Sequence, residues 1–360
     1  MDNHISQRRI ELLDRLKGVA GILTLFGHVI IMGNGEVFRE TDLYFNDKVF
    51  QLIYSFHMPL FMLISGFLFG RSVRLYDRKK TAEQIFDKAK KLIVPLLLFS
   101  VLDLILSISN WISAGIQINI KIVALQYLIL FVTERWFLWA VFWCFLFSLL
   151  WKNLLKENPF VLAVIFLIMF ITPDGLNLGA YKYMLPYFII GNKLFEVYYD
   201  EGMRKRAEKL LSPGAFIAFA LLFAALLSHY NGGMTVYISG YKLIGKNILN
   251  QLYIDSYRFL IGLSGSVVMT YLIYFLSKTG VMKKAHDILS HVGKSSMGIY
   301  LLSQYTVVYI FNNLTDSYYR EKAAAYPNYL LTLLETALAL IICLILIKIM
   351  KKLPILKYMV

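Results

Sequence analysis

Long apolar runs alternate with short polar breaks from one end of this chain to the other. A helix needs ~20 mainly apolar residues to cross ~30 Å of hydrocarbon. Ten stretches meet or approach that length, near 14–33, 49–70, 92–113, 136–151, 159–173, 181–198, 213–230, 257–277, 296–312 and 329–347. Pro159 and Pro213 fall at first-turn positions, Pro327 lies just before a span, and Gly70 and Gly280 follow spans, which is the punctuation expected of helix ends. A further stretch, 117–133, reads as amphipathic, and its pattern fits either a helix on the outer face or one that re-enters. The polar stretches 71–91 and 231–256 are too short to bury a core of their own, and no internal repeat is evident. The pattern predicts an all-α polytopic membrane bundle of about ten transmembrane helices, with residues 1–360 forming a single membrane domain.

Composition supports that reading and narrows it. Of the 360 residues, 58% are apolar and only 17% charged, against ~25% charged in ordinary globular domains, which excludes a soluble enzyme. The net charge of +14 would suggest nucleic acid in a soluble protein, but here the cations sit between the apolar runs. One set of alternate loops and ends holds 27 Lys and Arg and the other 10. That asymmetry predicts a multi-pass protein of the cell membrane with both termini cytoplasmic, and it leaves no role for a nucleic-acid partner. Arg8, Arg9, Arg15 and Lys17 precede the first run and no small-x-small cleavage pattern follows it, so the run is expected to be retained as a span. Cys144 and Cys343 lie inside apolar runs at a spacing that offers neither a disulfide framework nor a metal site.

Ionisable groups inside membrane spans are costly and tend to mark a pathway or a site. On the first span His28 lies eleven residues beyond Lys17. At 1.5 Å and ~100° per residue it is about 16 Å deeper and within ~20° of the same helix face. Asp14 is within ~40° of that face. His57 on the second span, about 12 Å below its outer end, and Asp103 on the third, about 16 Å above its cytoplasmic end, reach similar depth. Pro59 follows His57 and frees a carbonyl within its helix, which an imidazole can cap. The remaining histidines are weaker candidates: His4 is in a polar tail, His229 is at an outer helix end, and His286 and His291 are expected on a solvated face. No zincin, nucleophile-elbow or P-loop motif occurs.

The first span, LLDRLKGVAGILTLFGHVI, carries Lys17, ten intervening residues and His28, and it resembles the opening helix of the membrane acyltransferase-3 family. FHMPLFMLISGFLF in the second span is similar to the branch containing sugar O-acetylases, and Lys90-Lys91 ahead of LIVP resembles its entry to the third span. WFLWAVF at Trp136–Phe142, RFLIGLSGS at Arg258–Ser266 and GKSSMGIYLL at Gly293–Leu302 resemble further family segments in order. Together they cover about residues 10 to 302. The chain departs from many relatives in having Lys at 17, 88, 90 and 91 where they have Arg, and Ser303 where they have His. Lysine is a point charge without the planar fork that grips phosphate bidentately. Some relatives also carry an extracellular hydrolase-like domain; this sequence stops at Val360, so a relay to such a domain implies a partner protein.

The resemblance implies a membrane O-acyltransferase that binds no resident cofactor and takes acetyl-CoA or another acyl-CoA as co-substrate. The expected acceptor is a hydroxyl of a cell-surface polysaccharide or its lipid-linked precursor. Polysaccharide-synthesis proteins are possible partners. An anionic donor suits a cytoplasmic face with 27 Lys and Arg against 12 Asp and Glu. Lys17, Arg71, Lys88, Lys90 and Lys91 are the candidates for its nucleotide and pyrophosphate. His28 is the candidate base or acyl carrier, with His57 and Asp103 as catalytic partners that orient the ring or stabilise charge. Outer residues Trp136, Trp139, Tyr257 and Arg258 are candidates for the sugar, although an interfacial aromatic belt accounts for the aromatics equally well. The competing readings are a transporter or flippase of a lipid-linked sugar and a non-catalytic scaffold.

Overall fold

The computed structural model describes residues 10–34, 42–75, 81–210, 212–279, 283–308 and 328–353. Fourteen α-helices occur among them. They are α1 (Glu11–Met32), α2 (Lys48–Leu75), α3 (Thr81–Ser113), α4 (Ile120–Thr133), α5 (Trp136–Asn153), α6 (Pro159–Ile171) and α7 (Leu178–Tyr199). There follow α8 (Glu201–Leu210), α9 (Pro213–His229), the single turn α10 (Val236–Ser239), α11 (Ile248–Lys278), α12 (Lys283–Lys294), α13 (Ser296–Thr306) and α14 (Tyr329–Met350). Six of these, α1, α2, α3, α5, α11 and α14, are long and apolar enough to cross a membrane, and α4, α6 and α9 are shorter apolar helices. The protein is a polytopic membrane bundle.

Each of the ten expected spans contains a helix, and Pro159 and Pro213 open α6 and α9. The departures have local causes. α3 begins at Thr81, eleven residues before the expected apolar start, and its 33 residues span about 50 Å, well beyond the hydrocarbon. Its polar first turns therefore carry Lys88, Lys90 and Lys91 at the bundle's lysine-rich end. α11 starts at Ile248 because Asn247 caps it, accepting from the Asn250 N–H at 3.2 Å. Gly70 does not end α2: the helix runs on to Leu75, and a Cβ at Gly70 would meet Asn192 and Phe195 of α7 within 3 Å. The 117–133 stretch forms α4, apolar around its circumference apart from a few polar positions and packed along α3. The far ends of the 296–312 span, Pro327 and Gly280 fall outside the described residues.

Close backbone approach at glycine sets the bundle's centre. A Cβ at Gly66 of α2 would lie 1.9 Å from the Phe188 carbonyl oxygen, and one at Gly191 of α7 would lie 2.0 Å from that of Leu63. Without a hydrophobic drive between helices in lipid, such small-residue contacts are how helices gain packing energy. α12 meets α1 in the same way, with Gly18 against Leu289 and Gly293 against Asp14. α11 crosses α2 at Gly262 and Gly265, which admit Pro59 and Phe56. The family-like segments RFLIGLSGS and FHMPLF are thus in contact around His57.

Candidate functional site

His28 projects from the C-terminal half of α1 and is half-buried. Its Nδ1 lies 2.9 Å from Oγ of Ser303 on α13. Next to it Gly27 leaves room for the ring of Tyr54, whose nearest atom is 2.6 Å from where a Cβ would stand. Tyr54 in turn meets His57 edge-on, ring centres 4.7 Å apart. His57 is fully buried; its Nδ1 is 2.7 Å from the Ile53 carbonyl oxygen, and its Nε2 has no partner among the described residues. The carbonyl it caps is thus that of Ile53, not the Ser55 carbonyl whose amide partner Pro59 removes. The two imidazoles lie within coulombic reach of each other. The structure therefore brings His28 and His57 together, with Tyr54 and Ser303 as the groups that connect them to their surroundings.

From Tyr54 the site opens into a small cleft between α2, α5, α7, α11 and the segment after α9. Its walls include Tyr54, Trp136, Tyr183, Tyr230, Tyr237 and Arg258. Trp136 belongs to the cleft, as does Arg258, but most of the Arg258 guanidinium is already engaged. It pairs with Asp255, donates to Oγ of Ser239 at 3.1 Å and to the Gly240 carbonyl at 2.7 Å, and lies over the rings of Tyr183 and Tyr241. Both side chains of that pair are almost sealed, so the corner is polar and Arg258 is not presented as an unpaired cation.

Other expected residues lie elsewhere. Trp139 does not line the cleft: its indole N–H donates to the Phe131 carbonyl at 2.7 Å and its ring stacks on Trp143, which ties α5 to α4. Tyr257 faces α9, where its hydroxyl bonds the Leu226 carbonyl. Asp103 is taken up by Arg135, at 3.1 Å through one of two contacts, and by the Tyr305 hydroxyl, so it orients neither imidazole. The physical reason is charge: a carboxylate in this setting is held by the guanidinium that completes it. His286, expected on a solvated face, is buried with Nε2 3.1 Å from the Leu276 carbonyl, whereas His291 and His229 are exposed.

At the lysine-rich end, Lys17 pairs with Asp14 at 2.9 Å and remains partly exposed. Lys88 lies over the Phe145 ring at 5.6 Å, Lys90 and Lys91 are exposed one turn or less away, and Arg71 occupies the last turns of α2. These cations share one end of the bundle without forming a single cluster of contacts. Sequence reasoning missed Tyr54, Tyr183, Tyr230 and Tyr237. The available signal was the spacing of Tyr54 and His57, three residues apart on one helix face.

An all-helical bundle with two intramembrane imidazoles linked through Tyr54 beside an aromatic cleft defines a polytopic membrane protein with a candidate site inside its bundle. The profile of a family described as an acyltransferase domain, the acyltransferase-3 family, matches residues 10–348, and the chain belongs to that family of membrane acyltransferases. It is similar to nodulation protein NolL of Sinorhizobium fredii, 27% identical over 232 residues, 62% of this chain and 58% of that protein. Nodulation protein NolL of Mesorhizobium japonicum is 23% identical over 218 residues, 57% of this chain and 54% of that protein. The matched region thus spans somewhat over half the length of these relatives. No solved structure matches the chain.

Proposed function

We propose that this membrane acyltransferase moves an acetyl group from acetyl-CoA to a hydroxyl of a cell-surface polysaccharide or its lipid-linked precursor. The observation that carries the reading is the position of His28, half-buried on α1 eleven residues beyond Lys17 and next to Gly27, against which Tyr54 of the aromatic cleft packs. The lysine-rich end faces the cytoplasm in this account, with both termini there. Its field draws in a multiply anionic donor, and Lys17, Arg71, Lys88, Lys90 and Lys91 hold the nucleotide and pyrophosphate as point charges. Pantetheine reaches inward toward His28.

The acceptor enters from the cleft. Tyrosine and tryptophan rings offer flat apolar faces to a sugar, and neutral phenols offer hydrogen bonds. Asp255 neutralises Arg258 at the cleft wall, which suits a neutral sugar better than a polyanion. His28 takes the acceptor proton as the hydroxyl oxygen attacks the thioester carbon; the C–S bond breaks and the thiolate leaves with that proton. His57 and Tyr54 pack the ring's surroundings, and Asp103 acts on the fold through Arg135.

Two comparisons test this. His28→Ala should insert and fold normally yet lose at least about 100-fold in transfer, the usual worth of a positioned base; wild-type activity in that variant would remove the mechanism. In cells, an O-acetyl signal on surface polysaccharide should vanish on deletion and return on complementation. An unchanged glycan with loss of an ester from protein or lipid would contradict the acceptor, and movement of a lipid-linked sugar without acylation would favour a transporter.

A further inference from the structure

The heavy-atom positions around His28 restrict where its hydrogen sits. Ser303 is fully buried, and its Oγ lies 2.9 Å from the Tyr300 carbonyl oxygen as well as 2.9 Å from Nδ1 of His28. A carbonyl has no hydrogen to give, and a serine hydroxyl has one. The hydroxyl donates it to the Tyr300 carbonyl, one turn back on α13, so only lone pairs remain for His28. Both contacts are hydrogen bonds at once only if Nδ1 carries the hydrogen. A neutral imidazole has a single N–H, so Nε2 keeps its lone pair.

We propose that Ser303 is a positioning residue that holds His28 in the Nδ1–H tautomer and so makes Nε2 the basic atom offered to the acceptor hydroxyl. This rests on the role of His28 in acyl transfer given above. His57 shows why such a device matters. Its Nδ1 faces a carbonyl and so also carries the hydrogen, leaving the lone pair on Nε2, but the ring is sealed from any substrate. Of two imidazoles with the same tautomer, His28 is the half-buried one. During transfer Nε2 gains the hydroxyl proton as the ester bond forms, and returns it to the thiolate as the C–S bond breaks. The Nδ1–H···Oγ bond is kept throughout, and it strengthens while the ring is an imidazolium.

The test combines spectroscopy with kinetics on the full chain in lipid nanodiscs. With 15N-labelled histidine, and His28 assigned by difference from His28→Gln, the neutral wild-type ring should show a protonated, pyrrole-type Nδ1 and a pyridine-type Nε2. Ser303→Ala should lose that preference and lower kcat roughly 10- to 100-fold, the range seen when a partner that orients a histidine is lost. Its KM for acetyl-CoA should stay within about twofold, since the donor phosphates bind elsewhere. Ser303→Thr should restore both tautomer and kcat, because a threonine hydroxyl bonds the same carbonyl of its own helix. A pyridine-type Nδ1 in the wild type, or wild-type kcat and tautomer in Ser303→Ala, would overturn the proposal. If Ser303→Ala fails to fold, the wild-type spectrum and the Ser303→Thr variant still decide it. A correct tautomer in a protein that transfers no acyl group would instead defeat the proposed function and leave the hydrogen-bond assignment standing.

Discussion

Asp103, Arg135 and Tyr305 form a polar knot among α3, α5 and α13, and its energetics differ from those of the imidazoles. The Arg135 side chain is 3% exposed and that of Asp103 14%, so each charge depends on the other for the solvation it has lost. Asp103→Ala, which strands the guanidinium, should cost about 3–5 kcal/mol, whereas the double replacement Asp103→Leu with Arg135→Met should cost far less. Thermal denaturation in detergent would show the difference; equal losses would mean that the pair contributes little as a pair. At this scale the sequence was informative wherever a charge interrupts an apolar run. His28, His57 and Asp103 stood out for that reason. Their partners did not, because Arg135 is 32 residues from Asp103 and reads as an outer-loop cation at a helix start, and Ser303 is 275 residues from His28. Nothing in the local pattern of either partner announces the contact.

Among the helices, α2 and α7 are locked by reciprocal approach of Gly66 to Phe188 and Gly191 to Leu63. Neither backbone can move away without opening the contact that holds Tyr54, His57 and the cleft wall of α7 in register. Gly66→Val and Gly191→Leu should therefore reduce folded protein sharply, at more than the ~1–3 kcal/mol of ordinary overpacking. Gly214→Ala, where an added Cβ meets only Ser212 Oγ at 3.8 Å, should be tolerated. Fluorescence-detected gel filtration would separate the cases, and a monodisperse Gly191→Leu protein would refute the lock. The spans themselves were legible because twenty apolar residues leave few alternatives in a membrane. Their ends were less so: the hydropathy of α3 changes at residue 92, but helix geometry continues through the polar turns back to Thr81. Gly70 read as a stop because glycine both ends helices and permits close packing, and only the neighbouring α7 distinguishes the two.

The whole molecule is a membrane bundle with a cationic end, an aromatic cleft and two imidazoles between them. The proposed orientation, with the lysine-rich end inward, rests on the charge asymmetry of 27 against 10 and can be tested with single cysteines, since the native Cys144 and Cys343 are buried. An impermeant maleimide should label Lys121→Cys on intact cells and Lys284→Cys only after permeabilisation; the reverse pattern would invert the bundle and put the cleft on the donor side. The aromatic cleft was only partly legible in advance. Trp136 and Arg258 belong to it, but Tyr230 ends α9 and Tyr237 comes from the polar segment that follows, whose folding over the bundle depends on distant contacts such as Arg258 with Gly240.

The most direct measurement is transfer of radiolabelled acetate from acetyl-CoA by the purified full chain in proteoliposomes, with surface polysaccharide extracted from the deletion strain as acceptor. Wild-type protein should place alkali-labile label on the glycan, and His28→Ala of equal abundance and thermal stability should place none above background. Label transferred equally by both proteins, or a wild-type protein that leaves every offered hydroxyl unlabelled while the deletion strain retains its surface O-acetyl groups, would contradict the account.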